Sequence, residues 1–301
     1  MTEIVSLADG ELALDIAPEI GGAIVGFRIG DTPILRETTD EALASGDATK
    51  LSSFPLVPFS GRIAWARFGF CGEEHALTPN FGENPHYLHG FGWRSRWAVG
   101  RRDAASVTLV LDHDPAAGPE AAGRWPFAMR AELTYALGRG ALSMTLAVEN
   151  RDARPMPCGL GFHPYFPRRP GATLRFRAAG VWMPDENEIP TRREAPAGDT
   201  DFSTPKDVDS VTLDNAFSGF GGTAELAFPD RKLALTVAAE ALFSHAVVFV
   251  PPGKDFFCVE PVSHMPDAIN RMAEVKDHGL RILAPNERLV GAARIGVERL
   301  P

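Results

Sequence analysis

Two segments of the chain set a proton-active side chain beside a proline within an apolar run. The first is GLGFHPYFPR, Gly159 to Arg168, with His163 between Phe162 and Pro164. A following proline pushes the preceding backbone into extended geometry, and side chains alternate faces along an extended chain. His163 and Tyr165 are therefore expected on one face, with Phe162, Pro164 and Phe166 on the other. Aromatic anchors in the core would fix the imidazole in one direction, as proton transfer requires. The second segment is FFCVEPV, in which Glu260 precedes Pro261. A carboxylate at the end of a buried strand loses solvent, which raises its pKa toward general-base behaviour. A fixed imidazole and a desolvated carboxylate together point to acid/base chemistry.

Three further residues stand out, each with a plainer reading. Arg62, in FPLVPFSGRIAW, reads alone as an exposed loop arginine. His89, in NPHYLHGFGWRSRW, reads alone as a structural histidine in an aromatic loop. Asp214, in TLDNAF, reads alone as a turn or cap residue. Glu260 has a plain reading too, as a strand-end carboxylate in solvent. The set of two histidines, two carboxylates and an arginine contains no paired metal-ligand spacing, so no metal site is expected.

The elements that must position these residues are strands. ELALDIAP and AIVGFRIG read as strands around Gly-Gly, and WAVGRRDAASVTLVLDH as two strands about a polar turn. FAMRAELTYALGRGALSMTLAVENRD is the clearest hairpin, its arms meeting at Gly138-Arg139-Gly140. TAELAFPDRKLALTVAAE repeats the pattern around Pro229-Asp230, and HAVVFVP, FFCVEPV, LRILAP and VGAARIGVERL complete the set. Two short helical segments are expected, in TTDEALASGD after a capping threonine and in MPDAINRMAEV near Pro266. Residues 183–210 are rich in Pro, Glu, Asp, Arg and Thr and read as a long surface excursion rather than a domain boundary. The expectation is one all-β domain over residues 1–301, built of stacked antiparallel sheets.

Composition narrows the function. The 301 residues carry 39 acidic and 30 basic side chains, a formal net charge of −9. A nucleic-acid partner needs a concentrated basic face, so that class is set aside. Cys71, Cys158 and Cys258 are odd in number, far apart and in no C-x-x-C pair, which reads as free thiols in a reducing compartment. MTEIVSLADGELALDIAPEIGG has no basic start followed by a long apolar run, and no apolar stretch approaches a membrane span. A cytoplasmic protein with no membrane partner is expected.

SSFPLVPFSGRI, HYLHGFGW, WPFAMRAELTYAL, GLGFHPYF, LDNAF and CVEPVSHMPDAIN occur in an order that resembles the aldose 1-epimerase (galactose mutarotase) family, from about Pro55 to Asn270. The HPYF segment and the late EP strand are its most specific parts. The resemblance implies a β-supersandwich of the galactose mutarotase type, a small-molecule sugar bound on a concave sheet face, and no cofactor. It implies Glu260 as general base and His163 as general acid. It also implies Arg62 and His89 as residues that bind sugar hydroxyls and orient the ring, and Asp214 as a hydroxyl acceptor. One departure is Gly61, where many relatives carry Asn before the arginine, which leaves the sugar preference open. Trp93, Phe91 and Tyr165 are candidates either for sugar packing or for plain core. The implied reaction interconverts α and β anomers of a free aldose. A hexose 6-phosphate or other anionic sugar is an alternative substrate, with Arg94 and Arg96 as candidate partners of the anion. A non-catalytic sugar-binding protein, or a carbohydrate lyase or hydrolase on a similar scaffold, would be a different class. The presence of both His163 and Glu260 argues against loss of catalysis.

Overall fold

Side-chain alternation is strongest in the hairpin Met129–Gly138 and Ala141–Asn150. Along Met129–Gly138 every second residue is buried, and the two arms pair from Met129–Asn150 to Gly138–Ala141. Arg139 and Gly140, both with positive φ, make the two-residue turn that suits the twist of paired strands. This hairpin lies in a nine-stranded antiparallel sheet with Ala98–Arg102, Ser106–His113, Thr223–Phe228, Leu233–Ala239 and Arg288–Arg299. The computed structural model describes residues 2–300.

A second, eleven-stranded sheet stacks on the first. Its central strands lie in the order Ala23–Ile29, Ser53–Leu56, Gly161–Pro167, Phe256–Val262, His245–Val250, Leu213–Ser218 and Gly180–Pro184. All the named strand pairs are antiparallel, and they fix the register of the site: His163 faces Phe54, Tyr165 faces Cys258, Glu260 faces Val247, and Asp214 faces Phe249. The main core joins both sheets through Leu14, Phe27, Leu133, Leu146, Phe162, Phe166, Phe257 and Ile295, all fully or nearly fully buried. Each large side chain of this kind contributes roughly 1.5–3 kcal/mol by leaving water. Tyr135 also ties the sheets directly, its hydroxyl donating to the Gly22 carbonyl at 2.8 Å.

The outer face of the larger sheet carries a smaller cluster that includes Phe54, Leu56, Trp93, Tyr165, Cys258 and Val262. The expected alternation in HPYF holds. Phe162 and Phe166 enter the main core, while His163 and Tyr165 turn to the other face and stack, with ring centroids 4.6 Å apart. The stacked antiparallel all-β architecture agrees with the sequence reading.

Two details add to that reading. MPDAINRMAEV supplies the four-residue helix Ala268–Arg271, entered from Asp267 in the left-handed conformation without a side-chain cap. Asp40–Ala44, by contrast, is capped as expected, with the Thr39 hydroxyl accepting from the Ala42 N–H. The stretch 183–210 is also less loose than its composition suggests. Gly180–Pro184 pairs with Pro190–Glu194 as a hairpin at the edge of the larger sheet, and Phe202 is buried against Phe176.

Candidate active site

The outer face of the larger sheet opens into a cleft with a cavity volume of about 170 Å³. All five residues singled out from the sequence line it: Arg62, His89, His163, Asp214 and Glu260.

His163 and Glu260 form its floor. They project from adjacent strands with Nε2 and Oε1 3.2 Å apart, and their side chains are only 8% and 2% exposed. The imidazole packs against both Tyr165 and Phe54, each with its ring centroid at 4.6 Å. Burial drives both groups toward their uncharged forms. Glu260 is held well above the usual carboxylate range by desolvation and then by the nearby Asp214, with Arg62 opposing. His163 is held well below the usual imidazole range by desolvation, then by His89 and by Arg36. The carboxylic acid facing a neutral imidazole and the carboxylate facing an imidazolium contain the same number of protons. The pair therefore holds one labile proton in either form. Glu260 Oε2 and His163 Nδ1 are buried and have no hydrogen-bond partner.

Behind the floor, the Arg36 guanidinium lies 3.8 Å from the Tyr165 ring centroid, so imidazole, phenol and guanidinium stack in sequence. Arg36 is fixed there by donating to the Thr49 and Leu51 carbonyls.

His89 stands at the side, with its ring centroid 5.4 Å from that of His163. Its backbone is left-handed. Gly90 follows with positive φ, and a β-carbon there would sit 2.1 Å from the Val57 carbonyl oxygen, so the close approach of this loop to Val57 requires glycine. Asn80 pins the loop, donating to the Leu88 and Gly90 carbonyls and accepting from the Leu88 N–H. The Gly61 N–H donates to His89 Nδ1 at 3.1 Å. That contact assigns the imidazole proton to Nε2, leaving an N–H donor for the cleft. Desolvation and then Arg62 lower the His89 pKa to about 3, so the ring is neutral.

Arg62 and Asp214 form the rim. Arg62 Nη2 lies 3.5 Å from Asp214 Oδ2 and also pairs with Glu188. The Arg62 segment is anchored by the SHMPDAIN stretch. The Asp267 N–H donates to the Arg62 carbonyl, Asp267 Oδ1 accepts from the Ala64 N–H, and His264 Nε2 accepts from the Ser60 N–H. Gly61 has positive φ, and a β-carbon there would lie 3.0 Å from the Pro266 β-carbon. The proline ring fills the space into which a larger residue before the arginine would project.

Sequence reading missed Glu188. It sits at the tip of the edge hairpin with positive φ. The tip is held by Asp185 Oδ1, which accepts from the Asn187 and Ile189 N–H groups, by His86 Nε2 to the Asn187 carbonyl at 2.9 Å, and by Arg271 on the Pro190 carbonyl. No local pattern marks this glutamate. Trp182 and Pro184 from the same hairpin also line the cleft, as does Trp93. Of the three undecided aromatics, Trp93 and Tyr165 line the cleft, whereas Phe91 packs on His113 at 4.5 Å. Arg94 and Arg96 lie outside the lining. Arg94 donates to the Asn80 carbonyl and Arg96 pairs with Glu19.

Among the described residues one trio has metal-ligand chemistry at short range: His163 and Glu260 with Cys258, whose donor atoms lie within 4.8 Å of one another. None of the described helices is long and apolar enough to cross a membrane.

The comparisons with known proteins converge. Residues 3–295 match the family model for aldose 1-epimerase. The uncharacterized protein YphB of Escherichia coli (strain K12) is 32% identical over 305 residues, covering 99% of each chain. A crystal structure from E. coli K12, described provisionally as an aldose 1-epimerase, superposes with a TM-score of 0.89 at 32% identity over the whole of both chains. A galactose mutarotase-like protein from Clostridium acetobutylicum superposes with a TM-score of 0.89 at 21% identity, over 99% of this chain and 96% of the other, a likeness of fold. With the family model spanning nearly its whole length, this chain belongs to the aldose 1-epimerase family.

Proposed function

We propose that the protein interconverts the α and β anomers of a neutral aldose. The observation that carries this reading is the His163–Glu260 pair, 3.2 Å apart on the floor of a cleft lined by aromatic faces and hydroxyl-binding groups. Ring opening needs one proton taken from the C1 hydroxyl and one delivered to the ring oxygen. Glu260 as the carboxylate takes the first, and His163 as the imidazolium gives the second. The C1–C2 bond then rotates, the ring closes on the other face of the aldehyde, and both protons return to their donors. The starting form of the pair is reached by moving one proton between Glu260 and His163, with no change in the charge of the site. Each correctly placed acid or base contributes typically ~10²–10⁴-fold.

His89 supports this arrangement as a neutral N–H donor toward the sugar. Arg62 and Asp214 offer a donor and an acceptor for ring hydroxyls, and Trp93 and Trp182 offer apolar faces. Charge favours a neutral sugar over an anionic one. Three carboxylates, Glu188, Asp214 and Glu260, line the cleft with Arg62 as the lining cation, and Arg62 already pairs with two of them.

The test is anomer interconversion followed by NMR magnetisation exchange. The panel is glucose, galactose, arabinose, xylose, fucose and glucose 6-phosphate, with wild type beside Glu260→Gln. The expected result is acceleration on at least one neutral sugar that collapses in the variant. A folded wild-type protein that binds a sugar without accelerating exchange would replace this reading with a binding function.

A further inference from the structure

We infer that His163, Glu260 and Cys258 form a binding site for a zinc-class divalent cation, and that an ion seated there holds the acid/base pair inactive. The second half rests on the reading of the pair given above; the first does not.

The geometry comes from the register of two strands. Cys258 and Glu260 are two apart on one strand, so both turn to the cleft face. Tyr165 pairs with Cys258, and His163 is two residues before it on the neighbouring strand, on the same face. All three side chains are buried, and their donor atoms fall within 4.8 Å of one another. Zinc bonds of about 2.0–2.2 Å to nitrogen and oxygen at a tetrahedral angle separate those ligands by about 3.3 Å. The observed Nε2 to Oε1 separation of 3.2 Å already meets that requirement. Seating the ion then asks mainly for a small approach by the Cys258 sulfur.

Two further features favour an ion here. Glu260 Oε2 is buried without a partner, so the carboxylate is not saturated by the protein. The ligand set also balances charge. Binding displaces the thiol proton and the one labile proton of the His163–Glu260 pair to solvent. Metal–sulfur, metal–nitrogen and metal–oxygen bonds form, and thiolate plus carboxylate offset the two positive charges. Imidazole, thiolate and carboxylate are all established zinc ligands, and three protein ligands leave the fourth position facing the cleft. Once bound, the ion occupies the lone pair of His163 Nε2 and the oxygen of Glu260 that proton transfer uses.

Cobalt(II) is the first probe, because thiolate ligation gives a charge-transfer band in the near ultraviolet. The measurement uses full-length protein with Cys71→Asn, which removes the exposed thiol and suits that residue's positive φ. The expected result is a band that zinc abolishes by displacement and that is missing when Cys258→Ala is added. Cys258→Val, which keeps the floor apolar, replaces the alanine variant if the latter does not fold. The second measurement is zinc inhibition of anomer exchange. Wild type should be inhibited, and the Cys258 variant should need at least about tenfold more zinc for half-inhibition, each protein being scored against its own metal-free rate, since one of three ligands is gone. A missing cobalt band, or equal zinc sensitivity in both proteins, overturns the inference. If no sugar is exchanged, the cobalt band still decides the site, so failure of the proposed reaction and failure of the metal site are read separately.

Discussion

The floor and the rim of the cleft are built on opposite principles. On the floor, His163 and Glu260 are almost completely buried, and both are pushed toward their neutral forms. At the rim, Arg62 is 16% exposed, Asp214 39% and Glu188 53%, and the arginine is paired with both carboxylates. Desolvation makes a small proton movement change the character of the floor, because a group poised between two forms exchanges a proton readily. At the rim desolvation also raises the Asp214 pKa, but there the adjacent Arg62 opposes it and favours the charged form, and partial exposure keeps the pairs' contribution to stability small. Burial thus separates a region suited to proton transfer from one suited to holding hydroxyls. Four measurements break or sharpen that contrast.

The largest effect is expected on the floor. His163→Asn and Glu260→Gln should each lower kcat by roughly 10²–10⁴-fold, and the double variant should lose little more than the worse single one, because the pair acts as a unit. Fully additive losses would mean that the two residues work independently. Arg62→Met should lower kcat/KM by roughly 10–100-fold, mainly through KM, since charge-assisted hydrogen bonds contribute about 1.5–3 kcal/mol. A loss confined to kcat would move Arg62 from the rim to the floor in function.

Acid separates the two regions by stability. His89, His163, His245 and His264 are buried with lowered pKa values, those of His89, His245 and His264 being about 3, 4 and 4. A histidine neutral in the fold and protonated when unfolded contributes stability above its unfolded pKa. It loses that contribution as pH falls toward the folded value, at up to about 1.4 kcal/mol per pH unit below ~6.5. Glu260, Asp214 and Asp267 work in the opposite sense, because their raised pKa values make the fold the better proton acceptor. The four histidines outnumber these three. Stability from urea unfolding is expected to drop between pH 6.5 and 4.5, and a flat profile would contradict the burial of these rings. The smallest effect belongs to Glu188→Gln. It should change exchange of a neutral sugar by no more than a few-fold, while improving kcat/KM for glucose 6-phosphate relative to that sugar by removing a repulsive charge. An unchanged ratio would mean that the hairpin tip plays no part in charge selection.

Much of the floor was legible in the sequence because its causes are local. Pro164 and the Phe162/Phe166 alternation fix where His163 points, and the apolar run before Glu260 marks a carboxylate carried into the interior. The rim was legible only in part. Arg62 and Asp214 came from the order of motifs, and their proximity depends on the SHMPDAIN stretch reaching back to hold the arginine segment. Glu188 was missed because its position depends on contacts with His86 and Arg271, both remote in sequence, while its own surroundings are charged and rich in proline.

The strand order has a consequence for how the chain acquires its site. Ser53–Leu56, Gly161–Pro167 and Phe256–Val262 lie side by side at the centre of the larger sheet, yet each is far from its neighbours along the chain. The Met129–Gly138 and Ala141–Asn150 hairpin, by comparison, closes through a turn of two residues. Local pairings form early, whereas pairings between distant segments wait on loop closure and come late. His163 and Glu260 meet across one of those distant pairings. A nascent or partly refolded molecule can thus possess most of its hairpins and still lack the paired His163–Glu260 floor, which makes assembly of the cleft a mark of completed topology rather than of secondary structure.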